Sequence, residues 1–132
     1  MISEGKRRPR ILVVDDERSI ADTLATIFRM HGYDAVPAYS GDSGLQQASR
    51  LNPDMIVSDV MMPGIDGAEM AIQALQFLPN CKILLISGQA ATTDLLSGAA
   101  TKGYTFELLA KPVQPSELLE RASRLYGEAA AA

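Results

Sequence analysis

A single cysteine in 132 residues allows no internal disulfide and cannot build a zinc site, so Cys81 suits a reducing, cytoplasmic compartment. No apolar run approaches the roughly 18 residues that a membrane span requires. The basic start, Lys6-Arg7-Arg8-Pro9-Arg10, lacks the apolar core and cleavage site of a signal peptide. Neither G-x-G-x-x-G nor a phosphate-binding loop follows the first apolar run, which speaks against a nucleotide-binding domain. Positive charge is scarce as well: a net charge of −4 argues against direct nucleic-acid binding. The only histidine, His31, closes a helical pattern, where a cation beside the helix dipole is the expected role. Internal repeats, linkers and low-complexity blocks are missing too, the C-terminal alanines aside. What remains is one domain's worth of chain, able to bury about two-thirds of its unfolded surface. Hydrophobic residues at 47% and charged residues at 21% give an ordinary globular balance.

The residues that are present read as alternating strands and helices. Ile11-Leu12-Val13-Val14 is an apolar, β-branched run that stops at Asp15-Asp16, a strand with carboxylates at its C-terminal end. Ile20, Leu24, Ile27, Phe28 and His31 recur at helical spacing, and Gly32 ends that helix. Asp34 to Ala38 supplies a second strand, and Ser40 caps a helix with apolar positions Leu45, Ala48 and Leu51. Met55 to Val60, bounded by Pro53-Asp54 and Pro63-Gly64, has no helical period and reads as a strand buried on both faces. Asp66-x-x-Glu69 opens a third helix like a capping box, with Ala71, Ile72, Leu75 and Leu78 buried. Cys81 to Ile86 makes the fourth strand, with Cys81 as a small buried hydrophobe, and Ser87-Gly88 follows. Met61, Met62 and Met70 are expected to pack rather than bind metal.

Gln89 to Ala100 is a weak helix built on alanine, Leu95 and Leu96, and is placed at the low-stability end of the fold. Phe106 to Ala110 makes a fifth strand ending at Lys111-Pro112. Pro115 opens a last helix with Leu118, Leu119, Ala122, Leu125 and Tyr126 on its apolar stripe. Residues 1–9 are expected to form a disordered, solvated basic head, 10–126 the domain, and 127–132 a C-terminal tail. Uninterrupted alternation of this kind predicts an α/β fold, a parallel sheet covered on both faces.

In such a sheet all C-terminal strand ends share one edge. Asp15, Asp16, Asp59, Ser87 and Lys111 therefore converge, although they are distant in sequence. Taken singly each has a plain alternative: a helix cap, a turn carboxylate, a loop hydroxyl, a surface lysine. Taken together they make an acidic pocket with a hydroxyl and an ammonium. Clustered carboxylates repel and raise at least one pKa unless a cation enters. An all-oxygen donor set with room for water suits Mg²⁺. Such a pocket is suited to receiving a phosphoryl group, with an aspartate as nucleophile.

Val-Val-Asp15-Asp16-Glu, Ser-Asp59-Val-Met-Met-Pro-Gly-Ile-Asp-Gly, Ile-Ser87-Gly and Ala-Lys111-Pro together resemble the receiver domain of two-component response regulators. The likeness covers roughly residues 10 to 126. It implies a flavodoxin-like (βα)₅ fold with strand order 2-1-3-4-5. It also implies that Asp59 is the phosphoacceptor from a sensor histidine kinase or a histidine phosphotransfer protein. Asp15 and Asp16 would hold Mg²⁺ together with Asp59 and the backbone carbonyl of Met61. Ser87 would be the switch hydroxyl, Lys111 would pair with the phosphoryl group, and the Lys111-Pro112 bond would be cis.

One position departs from the pattern: Leu108 stands where receivers place Tyr or Phe, three residues before the lysine. Phe106 and Tyr104 share its parity but lie further from that end. Such a domain would be a signalling module, not an enzyme beyond assisting its own phosphotransfer and dephosphorylation. Its readout is expected on the face of the fourth helix, fifth strand and fifth helix. The partner there would be a downstream protein, an output domain outside this chain, or a second copy. A binding module that keeps the fold without phosphorylation is the alternative. An Asp-nucleophile phosphatase is a weaker one, because the second acid it needs two residues after Asp59 is Met61.

Overall fold

The computed structural model describes residues 7–88 and 92–131. Residues 1–6 of the basic head, and Gln89 to Ala91 at the expected start of the fourth helix, lie outside the described residues, as does Ala132 of the expected tail. Ten elements alternate in chain order: β1 (Arg10–Val14), α1 (Arg18–Met30), β2 (Asp34–Ala38), α2 (Gly41–Leu51), β3 (Met55–Asp59), α3 (Gly67–Phe77), β4 (Lys82–Ser87), α4 (Thr92–Thr101), β5 (Glu107–Ala110) and α5 (Pro115–Ala131). The strands pair in parallel in the order β2-β1-β3-β4-β5. This is the flavodoxin-like topology expected, with the order of connection reversing at β1.

Two cores flank the sheet because strand side chains alternate between its faces. Ile11, Val13, Met55, Val57, Leu84 and Ile86 meet α1 and α5 on one side, around Phe28, Leu118 and Ala122. Leu12, Val14, Ile56, Ile83 and Leu85 meet α2 and α3 on the other, around Ala48, Met70, Ala71 and Ala74. The central strands are apolar on both faces for that reason. No helix among the described residues is long and apolar enough to cross a membrane.

Local signals account for the helix starts. Ser40 Oγ accepts from Ser43 N at 3.0 Å, and Asp66 Oδ1 accepts from Glu69 N at 2.9 Å. The capping box at α3 is only half made: Glu69 accepts from Gln73 at 3.1 Å and lies 3.7 Å from Lys102 of the α4 end. α3 also turns a different stripe inward than its larger residues suggest. Ala68, Met70, Ala71 and Ala74 are buried, whereas Ile72, Leu75 and Leu78 are half-buried. Small side chains let this helix lie close to the sheet.

Met62 and Met70 pack as expected, but Met61 is 39% exposed. The head is less free than its composition suggests. Arg7 makes a two-pronged contact with Asp54 (2.8 and 3.2 Å), and Asp54 Oδ2 also accepts from Arg10 N. α5 continues through Gly127 to Ala131. His31 ends α1, with Nδ1 2.9 Å from the carbonyl of Ile27.

Candidate functional site

The parallel register brings the polar strand ends level. Val14 pairs with Ser58, Asp59 with Ile86, and Ser87 with Ala110. Backbone bonds continue just past the strands: Asp15 N to the Ala38 carbonyl at 3.1 Å, Val60 N to Ile86 at 3.0 Å, and Lys111 N to Ser87 at 3.0 Å. Asp15, Asp59, Ser87 and Lys111 are thus fixed by the sheet itself, not by loops.

At this edge Asp15 is 2% exposed, Asp59 6% and Ser87 7%, while Asp16 is exposed and Lys111 half-buried. Carboxylate oxygens from Asp15, Asp16 and Asp59 all lie within 4.8 Å of one another. Lys111 Nζ donates to Asp59 Oδ2 at 3.2 Å. Asp15 Oδ1 accepts from Glu17 N at 2.9 Å. Burial pushes the Asp15 carboxyl above its ordinary value; the Glu17 amide opposes that, Asp59 and Asp16 add to it, and Lys111 counters them. An open cleft of ≈ 710 Å³ leads into this edge between Ser19 and Ile20 of α1 and the Lys111-Pro112-Val113 turn. The Lys111-Pro112 peptide is cis.

Two glycines that the sequence gives no chemical role are needed here for space. Gly67 N donates to the Val60 carbonyl at 2.8 Å, and a Cβ on Gly67 would run into the backbone carbonyl of Asp59. A Cβ on Gly88 would lie 3.1 Å from the Lys111 Cβ. Their place in Asp66-Gly67 and Ser87-Gly88 reads as turn chemistry, so the close approach is visible only in three dimensions.

The aromatics near β5 are committed elsewhere. Tyr104 and Phe106 stack with centroids 6.2 Å apart, Tyr104 accepts from Gln76 of α3, and Phe106 packs on the α2/α3 core. Leu108 itself is 38% exposed. Cys81 is half-buried, and burial pushes its thiol up to about 12.

A hard divalent cation fits the acidic group on the chemistry of its donors. Three carboxylates supply only oxygen ligands, and two of the three are buried where a like-charge cluster is costly without a cation. Ligand oxygens around Mg²⁺ lie about 3–4 Å apart, given its bond length of about 2.1 Å. A set already within 4.8 Å needs little adjustment.

Known proteins resemble this chain in sequence and fold. A family model described as the response regulator receiver domain matches residues 11–123. The DNA-binding response regulator MtrA of Mycolicibacterium paratuberculosis is 31% identical over 114 residues, covering 86% of this chain and 49% of that protein. PhoP of Bacillus subtilis, the alkaline phosphatase synthesis transcriptional regulatory protein, is 35% identical over 112 residues, covering 85% and 46% respectively. The chain therefore spans about half the length of these curated relatives. A CheY-like receiver domain protein from Methanospirillum hungatei superposes with a TM-score of 0.85 at 26% identity, over 94% of this chain and 98% of the other. A response regulator structure from Chloroflexus aurantiacus gives 0.78 at 31% identity, over 92% and 99%.

Proposed function

This chain belongs to the receiver domains of two-component response regulators, and from that we propose that it accepts a phosphoryl group on Asp59 from a histidine kinase or histidine phosphotransfer protein in the cytoplasm. The observation that carries this reading is the 3.2 Å contact of Lys111 Nζ with Asp59 Oδ2, beside two further carboxylates. Asp59 is the carboxylate that meets both the acidic pair and the ammonium, so it combines a nucleophilic oxygen with a ready counter-charge.

Asp15 and Asp16 would hold Mg²⁺ with Asp59, and the Met61 backbone carbonyl would complete the protein's share. The chemistry a bound divalent cation supplies is neutralisation, first of the clustered carboxylates and then of charge on the transferring oxygens. The chain's own residues do the rest. An Asp59 oxygen attacks phosphorus and forms one O–P bond. The donor's N–P bond breaks, and its electron pair returns to the imidazole nitrogen, which takes a proton. Lys111 follows the added negative charge, and the Ser87 hydroxyl donates to a phosphoryl oxygen. Glu17 N holds Asp15 in place throughout.

Phosphorylation adds about −1.5 to −2 charges at this edge. The gain is read out on the α4-β5-α5 face, through contacts that differ between the two states. Two of the relatives are named as DNA-binding or transcriptional regulators. With a net charge of −4, this domain passes its signal through protein contacts and not by touching DNA itself.

Mass spectrometry after incubation with acetyl phosphate and Mg²⁺ tests the assignment. One phosphoryl adduct is expected on the parent protein and none on Asp59→Asn. No adduct on the parent, or one that persists in the variant, would overturn it and favour a binding module that is not phosphorylated.

A further inference from the structure

α1 carries a cation in its first turn, Arg18, only two residues after Asp16. The side chain is exposed, so no burial holds it. Its guanidinium carbon lies 4.0 Å from the centroid of the Tyr39 ring. Tyr39 in turn donates its hydroxyl to Asp22 Oδ1 at 2.6 Å. Asp22 stands four residues after Arg18, on the same side of the helix. The Tyr39 ring face makes a seat for a cation, and Asp22 steadies that ring through its hydroxyl.

The seat is rigid where it needs to be. Tyr39 directly follows β2, and the carbonyl of Ala38 accepts from Asp15 N at 3.1 Å. Ser40 then caps α2 through Ser43 N. The backbone on both sides of Tyr39 is therefore tied down, one bond from the acidic pair.

We propose that Tyr39, with Asp22, parks Arg18 outside the Asp15-Asp16-Asp59 cluster and so keeps that cluster open to a divalent cation. A guanidinium two residues after Asp16 is a natural competitor for the cluster, since its fork of donors matches a carboxylate pairwise. Stacked on Tyr39 it is satisfied elsewhere. Released, it falls toward the cluster, neutralises part of it and weakens metal binding. Tyr39 is in this sense a positioning residue acting through Arg18. The inference rests on the metal reading given above.

The test is a double-mutant cycle on the full chain, with the Mg²⁺ dissociation constant measured by calorimetry. Tyr39→Leu should weaken Mg²⁺ roughly two- to fivefold, the range of an exposed ion pair. Tyr39→Phe keeps the ring and should stay within about twofold of the parent, the lower end of that range. Arg18→Ala with Tyr39→Leu should bind as tightly as Arg18→Ala alone. Equal weakening by Tyr39→Leu in the parent and in the Arg18→Ala variant would overturn the inference, as would a Tyr39→Phe loss as large as that of Tyr39→Leu. A parent protein that binds no Mg²⁺ overturns the metal reading and this inference with it. A parent that binds, with Tyr39→Leu unchanged, overturns this inference alone.

Discussion

Asp15 is almost fully buried beside two carboxylates of the same charge, Asp16 and Asp59. Its pKa is raised above 3.8, by burial first and by those neighbours after it. In metal-free protein the folded state therefore holds this proton more tightly than the unfolded chain does. The stability from that difference is complete below 3.8 and is lost as pH rises through the raised value. Asp15→Asn keeps an oxygen to accept from Glu17 N but removes the charge. At pH 7 in chelator it should be more stable than the parent by about 0.5–2 kcal/mol, a few degrees in Tm. That advantage shrinks as pH falls toward 3.8 and reverses in saturating Mg²⁺, where only the parent gains full binding energy. Melting curves across pH, with chelator or Mg²⁺, read both signs; coincident curves at pH 7 in chelator would contradict it. Cys81 gives a second expectation of the same kind. With its thiol pushed up to about 12, iodoacetamide at pH 8 should label native protein at least about a hundredfold more slowly than unfolded protein. Equal rates would show the site to be open.

α3 follows the strand that ends in Asp59 and packs on the face opposite α1, and its first turn is set by two adjacent residues with different tasks. Asp66 caps it through Glu69 N, so Asp66→Ala should cost about 1 kcal/mol. Gly67 lets the helix start directly against the Asp59 carbonyl, where a Cβ has no room. Gly67→Ala should cost about 1–3 kcal/mol, at the upper end because backbone, not a flexible side chain, must give way. Urea unfolding of both variants decides the order; Gly67→Ala no worse than Asp66→Ala would refute the close-approach argument. Asp66 is legible from its spacing to Glu69, Gly67 only as a turn residue. β1, β3 and β4 are legible because buried strands announce themselves as short apolar runs between turn residues, and the partly buried β2 and β5 follow from the alternation with helices. Their ends are legible to one residue: β4 starts at Lys82 and not Cys81, β5 at Glu107 and not Phe106. The inward stripe of α3 is not, because side-chain size is a poor guide to burial there. A helix lying close on a sheet buries its alanines instead. α5 continues into the residues expected as a tail, where the alanines after Gly127 are strong helix formers.

Across the whole molecule, one edge gathers residues from four strands, and this is legible because a parallel sheet leaves no other place for its C-terminal ends. Which side chains touch is not. Spacing cannot say that Lys111 reaches Asp59, nor that Arg18 leans on Tyr39. Those contacts also suggest how the edge speaks to the rest of the fold. Lys111 N donates to the Ser87 carbonyl, and Ser87 pairs with Ala110, so the two residues expected to follow a phosphoryl group lie at the ends of β4 and β5. α4 is the element that connects those strands. It buries Ala99 but Leu95 and Leu96 only in part, and it carries Gly98 with open space around it. Such a helix has little apolar area holding it and opens at low cost. α2, by contrast, is capped at its start by Ser40 and packs on α3. Hydrogen exchange with a non-transferable phosphoryl mimic and Mg²⁺ should therefore alter protection across residues 92–110 and leave residues 41–51 unchanged. Asp59→Asn should abolish the difference. Unaltered exchange in α4 and β5 of the parent, with the mimic demonstrably bound, would mean that the added charge is not transmitted to that face.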